Sequence, residues 1–162
     1  FEQGMIARHR LLRMKLSRFL AQSRIGAIVT APVIYSLIIP ISMLDIFMTV
    51  YQNICFRVYG IPLVKRSEYV VRDRKWLQYL NVIQKLNCMY CEYSNGVIAY
   101  AREIASRTEQ YWCPIKHAHK VKHPHDRYYD FLEYGDSEEF QAKVDQQREK
   151  CRACEAPCED KK

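Results

Sequence analysis

The sequence predicts a mainly α-helical, membrane-anchored fold, on three observations. An apolar run extends from Ile25 to Phe56 with Asp45 as its one formal charge, a basic amphipathic segment leads into it, and apolar residues recur at helical spacing after it. Bulk composition alone would suggest an ordinary globular domain, since 49% of the 162 residues are apolar and the mean hydropathy is −0.33. That mean blends one greasy segment with a polar remainder, and the segment decides the class.

Residues 1–24 read as a basic amphipathic helix lying in the membrane interface. Ile6, Leu11, Leu12, Leu16, Phe19 and Leu20 are set among Arg8, Arg10, Arg13, Lys15 and Arg18. This stretch holds six of the 25 Lys+Arg of a chain of net charge +7, with Glu2 its single acid. Cations abutting an apolar run suit anionic headgroups, each contributing roughly 1 kcal/mol near an anionic leaflet. The expected partner is therefore the lipid bilayer and not nucleic acid.

Residues 25–56 form the membrane segment. As one helix they would reach about 48 Å, against a hydrocarbon core of about 30 Å, which is too long for one upright span and too short for two. Two forms remain open: a tilted helix running into the interface, or a re-entrant element bent near Pro40. Arg57, Lys65, Arg66, Arg72, Arg74 and Lys75 follow the run as six cations precede it, so the positive-inside bias is level and both ends are expected in the cytoplasm. A cleavable secretory signal fits poorly, because the run is too long and no small-x-small site closes it. Asp45 is expected to be paired, protonated or turned toward protein, and a partner subunit or second copy of the chain would also account for it.

Gly60 and Pro62 break the chain, and residues 57–72 read as a linker. Residues 73–130 read as a helical hairpin. Its first helix spans Asp73 to Asn87 on the spacing of Trp76, Leu77, Leu80, Ile83 and Leu86, with Asp73 as N-cap. Its second opens at Ser94 or Asn95, turns Val97, Ile98, Ala101, Ile104, Ala105, Thr108 and Trp112 inward, and ends before Pro114. Residues 116–130, rich in His, Lys and Tyr, read as irregular. Residues 131–162 read as a polar helix over 137–150 and a cysteine-rich tail.

The chemistry concentrates in cysteine. Cys88 and Cys91 are spaced to chelate one ion, and Cys113 with His117 could complete a Cys3His tetrahedron for zinc. Thiolates also suit iron, which stays the alternative. An unbroken helix over 94–112 would hold Cys113 roughly 28 Å from the CxxC turn, so the pair could instead take partners from Cys151, Cys154 and Cys158. A dithiol role for Cys88 and Cys91, and burial of the cysteines as small hydrophobes, stay open too. His119, His123 and His125 read as part of a solvated basic loop, and Glu103 with Arg107 as an ordinary i, i+4 ion pair. No nucleophile–base set, phosphate loop or paired-carboxylate signature is present, so the case for an enzyme is thin.

The segments Leu86-Asn87-Cys88-Met89-Tyr90-Cys91, Asn95-Gly96, Ala99 to Ala105 and Arg107 to Ala118 (RTEQYWCPIKHA) resemble a family of bacterial membrane proteins that carries no assigned activity. The likeness extends back to Gly60-Ile61-Pro62 and covers roughly residues 30–120. It implies a bacterial inner membrane with the soluble part cytoplasmic, and sets Cys88, Cys91 and Cys113 within a named block. The combined expectation is a non-catalytic, zinc-binding accessory or scaffold subunit that meets other membrane subunits or its own copies. The rival is a redox protein using an iron–thiolate centre or the CxxC dithiol.

Overall fold

The computed structural model describes residues 25–153 apart from 75, 76 and 78; the side chains of 25, 27 and 28 are also outside the description. The basic segment 1–24, Trp76, Cys154 and Cys158 therefore lie outside the described residues.

The protein is mainly helical, with one long apolar helix toward its N-terminal side, and among the described residues extended pairing is limited to an isolated bridge between Ile115 and Leu132. In chain order the helices are α1 (Ile25–Ser36), α2 (Ile38–Tyr51), a π-helical stretch Gln52–Phe56, α3 (Arg57–Tyr59), α4 (Arg66–Tyr69), α5 (Val82–Trp112), a 3-10 turn Asp126–Asp130 and α6 (Phe140–Ala153). The described residues gather into two compact units, one made of those up to Met43 with those of Ser67–Ile98, the other of Leu44–Arg66 with those from Ala99 onward.

The apolar run is helical throughout, and Val29–Tyr59 forms one rod of 31 residues. The re-entrant form expected as one option near Pro40 is not what the chain adopts. Pro40 lacks an N–H and its ring crowds the carbonyl four residues back, that of Ser36. The helix answers with a single turn at Leu37, whose N–H bonds Ile34 O at 3.3 Å, and then resumes. The rod ends at Gly60, left-handed at φ 70°, with the Ile61 N–H bonded back to Phe56 O at 2.8 Å. Glycine accepts that φ without steric cost, and Pro62 keeps the helix from restarting.

The expected helical hairpin over 73–130 is replaced by one unbroken helix, α5. Its start is set at Asn81 by a capping box: Asn81 Oδ1 accepts from the Gln84 N–H at 2.9 Å, and Gln84 Oε1 accepts from the Asn81 N–H at 3.0 Å. Nothing ends the helix at Asn95-Gly96. The Asn95 side-chain amide donates to Cys91 O at 2.9 Å, inside the helix. Gly96 is there for space, because a Cβ would lie 2.7 Å from Tyr69 O and 2.9 Å from Val70 Cα. The inward residues also differ from expectation. Val97, Ala101 and Ile104 are buried, but Ile98 and Trp112 are half exposed while Ser94, Ser106, Arg107 and Gln110 are buried. Unlike the one-sided pattern expected, α5 is covered on more than one face, by the rod and by the C-terminal segment.

Candidate functional site

The apolar rod is turned inside out relative to a core helix. Of its most apolar 18-residue stretch only 6% is buried. In α2 and beyond, Ile39, Met43, Ile46, Phe47, Val50, Ile54 and Val58 are exposed, recurring every three or four residues along one face. The opposite face carries Ser42, Asp45, Thr49, Gln52 and Phe56, and its polar members are spent on contacts within the protein.

Each of those contacts can be followed inside its own unit. In the first unit, Tyr93 Oη donates to Ser42 Oγ at 3.3 Å, Tyr90 Oη donates to Ile34 O at 3.0 Å, and Tyr35 Oη donates to Asn87 Oδ1. In the second, Asp45, 8% exposed, takes a two-pronged grip from Arg66, with Nε to Oδ1 at 2.9 Å and Nη2 to Oδ2 at 2.6 Å. The Gln52 amide clamps the returning chain: its Oε1 accepts the Val64 N–H at 2.9 Å, and its Nε2 donates to Val64 O at 3.2 Å and to Tyr100 Oη. Thr49 Oγ1 lies 3.4 Å from Tyr100 Oη, and Tyr51 Oη 3.1 Å from Thr108 Oγ1.

A second constellation joins α5 to the C-terminal segment. Glu103 Oε1 accepts from Arg107 Nε at 2.8 Å and from Arg127 Nη2 at 2.7 Å, and Arg107 also reaches Pro62 O at 2.7 Å. Burial alone would raise the Glu103 pKa, but the hydrogen bonds from Arg107 and Arg127 and their charges outweigh it, and the carboxyl sits below its usual 4.5. Sequence spacing found the Glu103–Arg107 pair; Arg127, 24 residues away, carried no local signal. Gln110 receives Arg127 at 3.2 Å and donates to Gln147 at 3.3 Å, and Cys151 Sγ donates to Arg107 O at 3.6 Å. His125, expected in a solvated loop, packs edge-on to Phe131 and pairs its Nε2 with Glu109 Oε2 at 2.8 Å. This network fastens residues 125–151 onto α5.

The four predicted metal ligands fall as follows. Cys88, half-buried, and Cys91, exposed, stand one turn apart on α5; Cys113, exposed, follows its last residue. His117 stacks on Tyr128, which also receives its backbone N–H at 2.7 Å. The unbroken helix sets Cys91 and Cys113 about 33 Å apart along its axis at 1.5 Å per residue, too far for a shared tetrahedral ion. Among the described residues no group of three or more His, Cys, Asp or Glu side chains is gathered to hold a metal ion. Among the described residues Cys55, Cys88, Cys91 and Cys113 are free thiols.

Set against protein-family models, curated proteins and solved structures, the chain matches none.

Proposed function

We propose that the protein is a membrane-bound, non-catalytic accessory or scaffold subunit of a bacterial inner membrane, with its polar part in the cytoplasm. The observation that carries this reading is the inverted rod. Water-soluble chains rarely leave so long an apolar face exposed, and they do not spend a helix's few polar side chains on internal bonds while its large aliphatic ones face out. Lipid reverses that logic, since every polar group must find a partner inside the protein.

The scaffold half of the reading draws on α5, whose polar groups are committed to holding neighbouring segments in place. Of the zinc expectation, the geometry keeps only Cys88 and Cys91 as two ligands one ion could share; the others would come from outside the four predicted residues.

Fractionation of cells making the full chain tests the reading. The protein should sediment with membranes, resist extraction by high salt and alkaline carbonate, and dissolve in detergent. Ile46→Lys combined with Val50→Lys, both on the exposed face, should move a substantial fraction to the soluble pool. Wild-type protein found in the soluble fraction would overturn the reading.

A further inference from the structure

We propose that the rod lies in the plane of an anionic bilayer surface, with its apolar face among the acyl chains, and does not cross the bilayer; this rests on the membrane reading above. The argument comes from what accompanies the rod on its other face. A crossing helix needs about 20 residues in a hydrocarbon core of about 30 Å, and whatever packs beside those residues must share their depth. Backbone without helical or barrel pairing, and charged side chains open to lipid, are not tolerated there.

Every placement of a crossing window meets this obstacle. A window centred on the rod has Asp45 near its middle, and Asp45 is bonded to Arg66, so the non-helical stretch 61–65 with exposed Lys65 arrives at mid-depth. A window shifted to the charge-free residues 25–44 is centred near Tyr35, whose hydroxyl meets Asn87, itself exposed. That brings Lys85 and the capping box at Asn81 and Gln84, with the irregular chain leading into it, within the core. An in-plane rod escapes both conflicts, because neither the Asp45–Arg66 pair nor the Tyr35–Asn87 contact then has to sit at mid-depth.

Lipid, and not a protein groove, is the occupant the chain's charge favours. Six cations and one acid occupy residues 1–24, Arg57 lies in the last turn of the rod, and Lys65, Arg72 and Arg74 follow it against Glu68 and Asp73, so the sequence is basic on both sides of the apolar run. Such a distribution complements an anionic headgroup layer.

Depth-resolved quenching decides the matter. The full chain is added to vesicles of phosphatidylglycerol and phosphatidylethanolamine that carry bromine either high or low on the acyl chain. Val33→Trp, Ile46→Trp and Val58→Trp are compared with the parent protein, whose Trp76 and Trp112 supply the background. These positions are 67%, 62% and 77% exposed, so the new indole displaces no packing. An in-plane rod gives none of the three a preference for deep bromine. A crossing rod gives one position at least about a twofold preference for deep bromine, Ile46→Trp for a window centred on the rod or Val33→Trp for one shifted to residues 25–44, which overturns the proposal and leaves the membrane reading intact. Binding without quenching at any of the three means the face is covered by protein, such as a second copy, and overturns it as well. A chain that fails to bind vesicles removes both readings at once.

Discussion

Asp45 is the residue where the apolar run was least consistent with itself, and its environment resolves the conflict within the chain. The Arg66 guanidinium meets both carboxylate oxygens, so the charge is matched by the geometry that suits it best, and no partner subunit is needed to account for it. Asp45→Asn should cost about 1 kcal/mol, because it removes the charge that Arg66 meets with two hydrogen bonds, while the 37% exposure of the Arg66 side chain lets water screen part of the loss. Arg66→Gln should cost a similar amount, and the double variant clearly less than the sum. Thermal melting of the four proteins in one detergent measures this, and strictly additive losses would show that the two groups do not act as a pair. Glu103 supplies a pH prediction. Its folded pKa lies below the ordinary 4.5, so the ionised carboxylate stabilises the fold above that value, and the contribution is lost as the pH falls through 4.5 and on through the folded pKa. Glu103→Gln should therefore lower the melting temperature most near neutrality and progressively less under acid, where the wild type loses the same charge. A gap that stays constant with pH would mean that ionisation of Glu103 contributes nothing.

Among the elements, α5 tests what glycine is for. In an open helix Gly→Ala gains about 1 kcal/mol of propensity. At position 96 the new methyl would meet backbone atoms of Tyr69 and Val70 at 2.7 and 2.9 Å, and neither can swing aside as a flexible side-chain end would. The clash outweighs the propensity, so Gly96→Ala should destabilise by about 1–3 kcal/mol. A rise in melting temperature would show that residues 69–70 are not packed there. This glycine also explains where sequence reading failed. Ser94 and Asn95 have the look of a helix N-cap, and they invited a second helix where Gly96 marks a close approach between segments 26 residues apart in sequence. The true helix start was legible in Asn81-Val82-Ile83-Gln84, an N-cap with its reciprocal glutamine, but the apolar spacing of Trp76, Leu77 and Leu80 ran past it. The rod was the easiest element to read, since a single charge between Ile25 and Phe56 leaves few alternatives, and Pro40 shows itself only as the turn at Leu37. Its inside-out facing was not legible, because Ser42, Asp45, Thr49 and Gln52 gain meaning only from Arg66, Tyr93 and Tyr100, all brought in by tertiary folding. The cap itself offers a check: Asn81→Ala should cost about 1 kcal/mol and expose the first turn of α5 to hydrogen exchange.

For the whole molecule, the length of α5 is what separates a local pair of thiols from a four-ligand centre. The spacing of Cys88, Cys91, Cys113 and His117 along the sequence carries no information about rise per residue, and a continuous helix turns 22 residues into about 33 Å. The consequence can be measured on protein purified under reducing conditions, by elemental analysis beside a fold readout such as circular dichroism. Zinc that co-purifies should depend on the thiols one turn apart, so Cys88→Ser and Cys91→Ser should each lower it several-fold. Cys113→Ser and His117→Gln should leave the zinc content of the wild type unchanged, since neither side chain can reach the same ion while α5 is intact. Equal losses from all four substitutions would require α5 to break between residues 91 and 113. The break would then show independently as lost helical signal in the metal-loaded protein, because a helix 31 residues long cannot fold back on itself without surrendering several hydrogen-bonded turns.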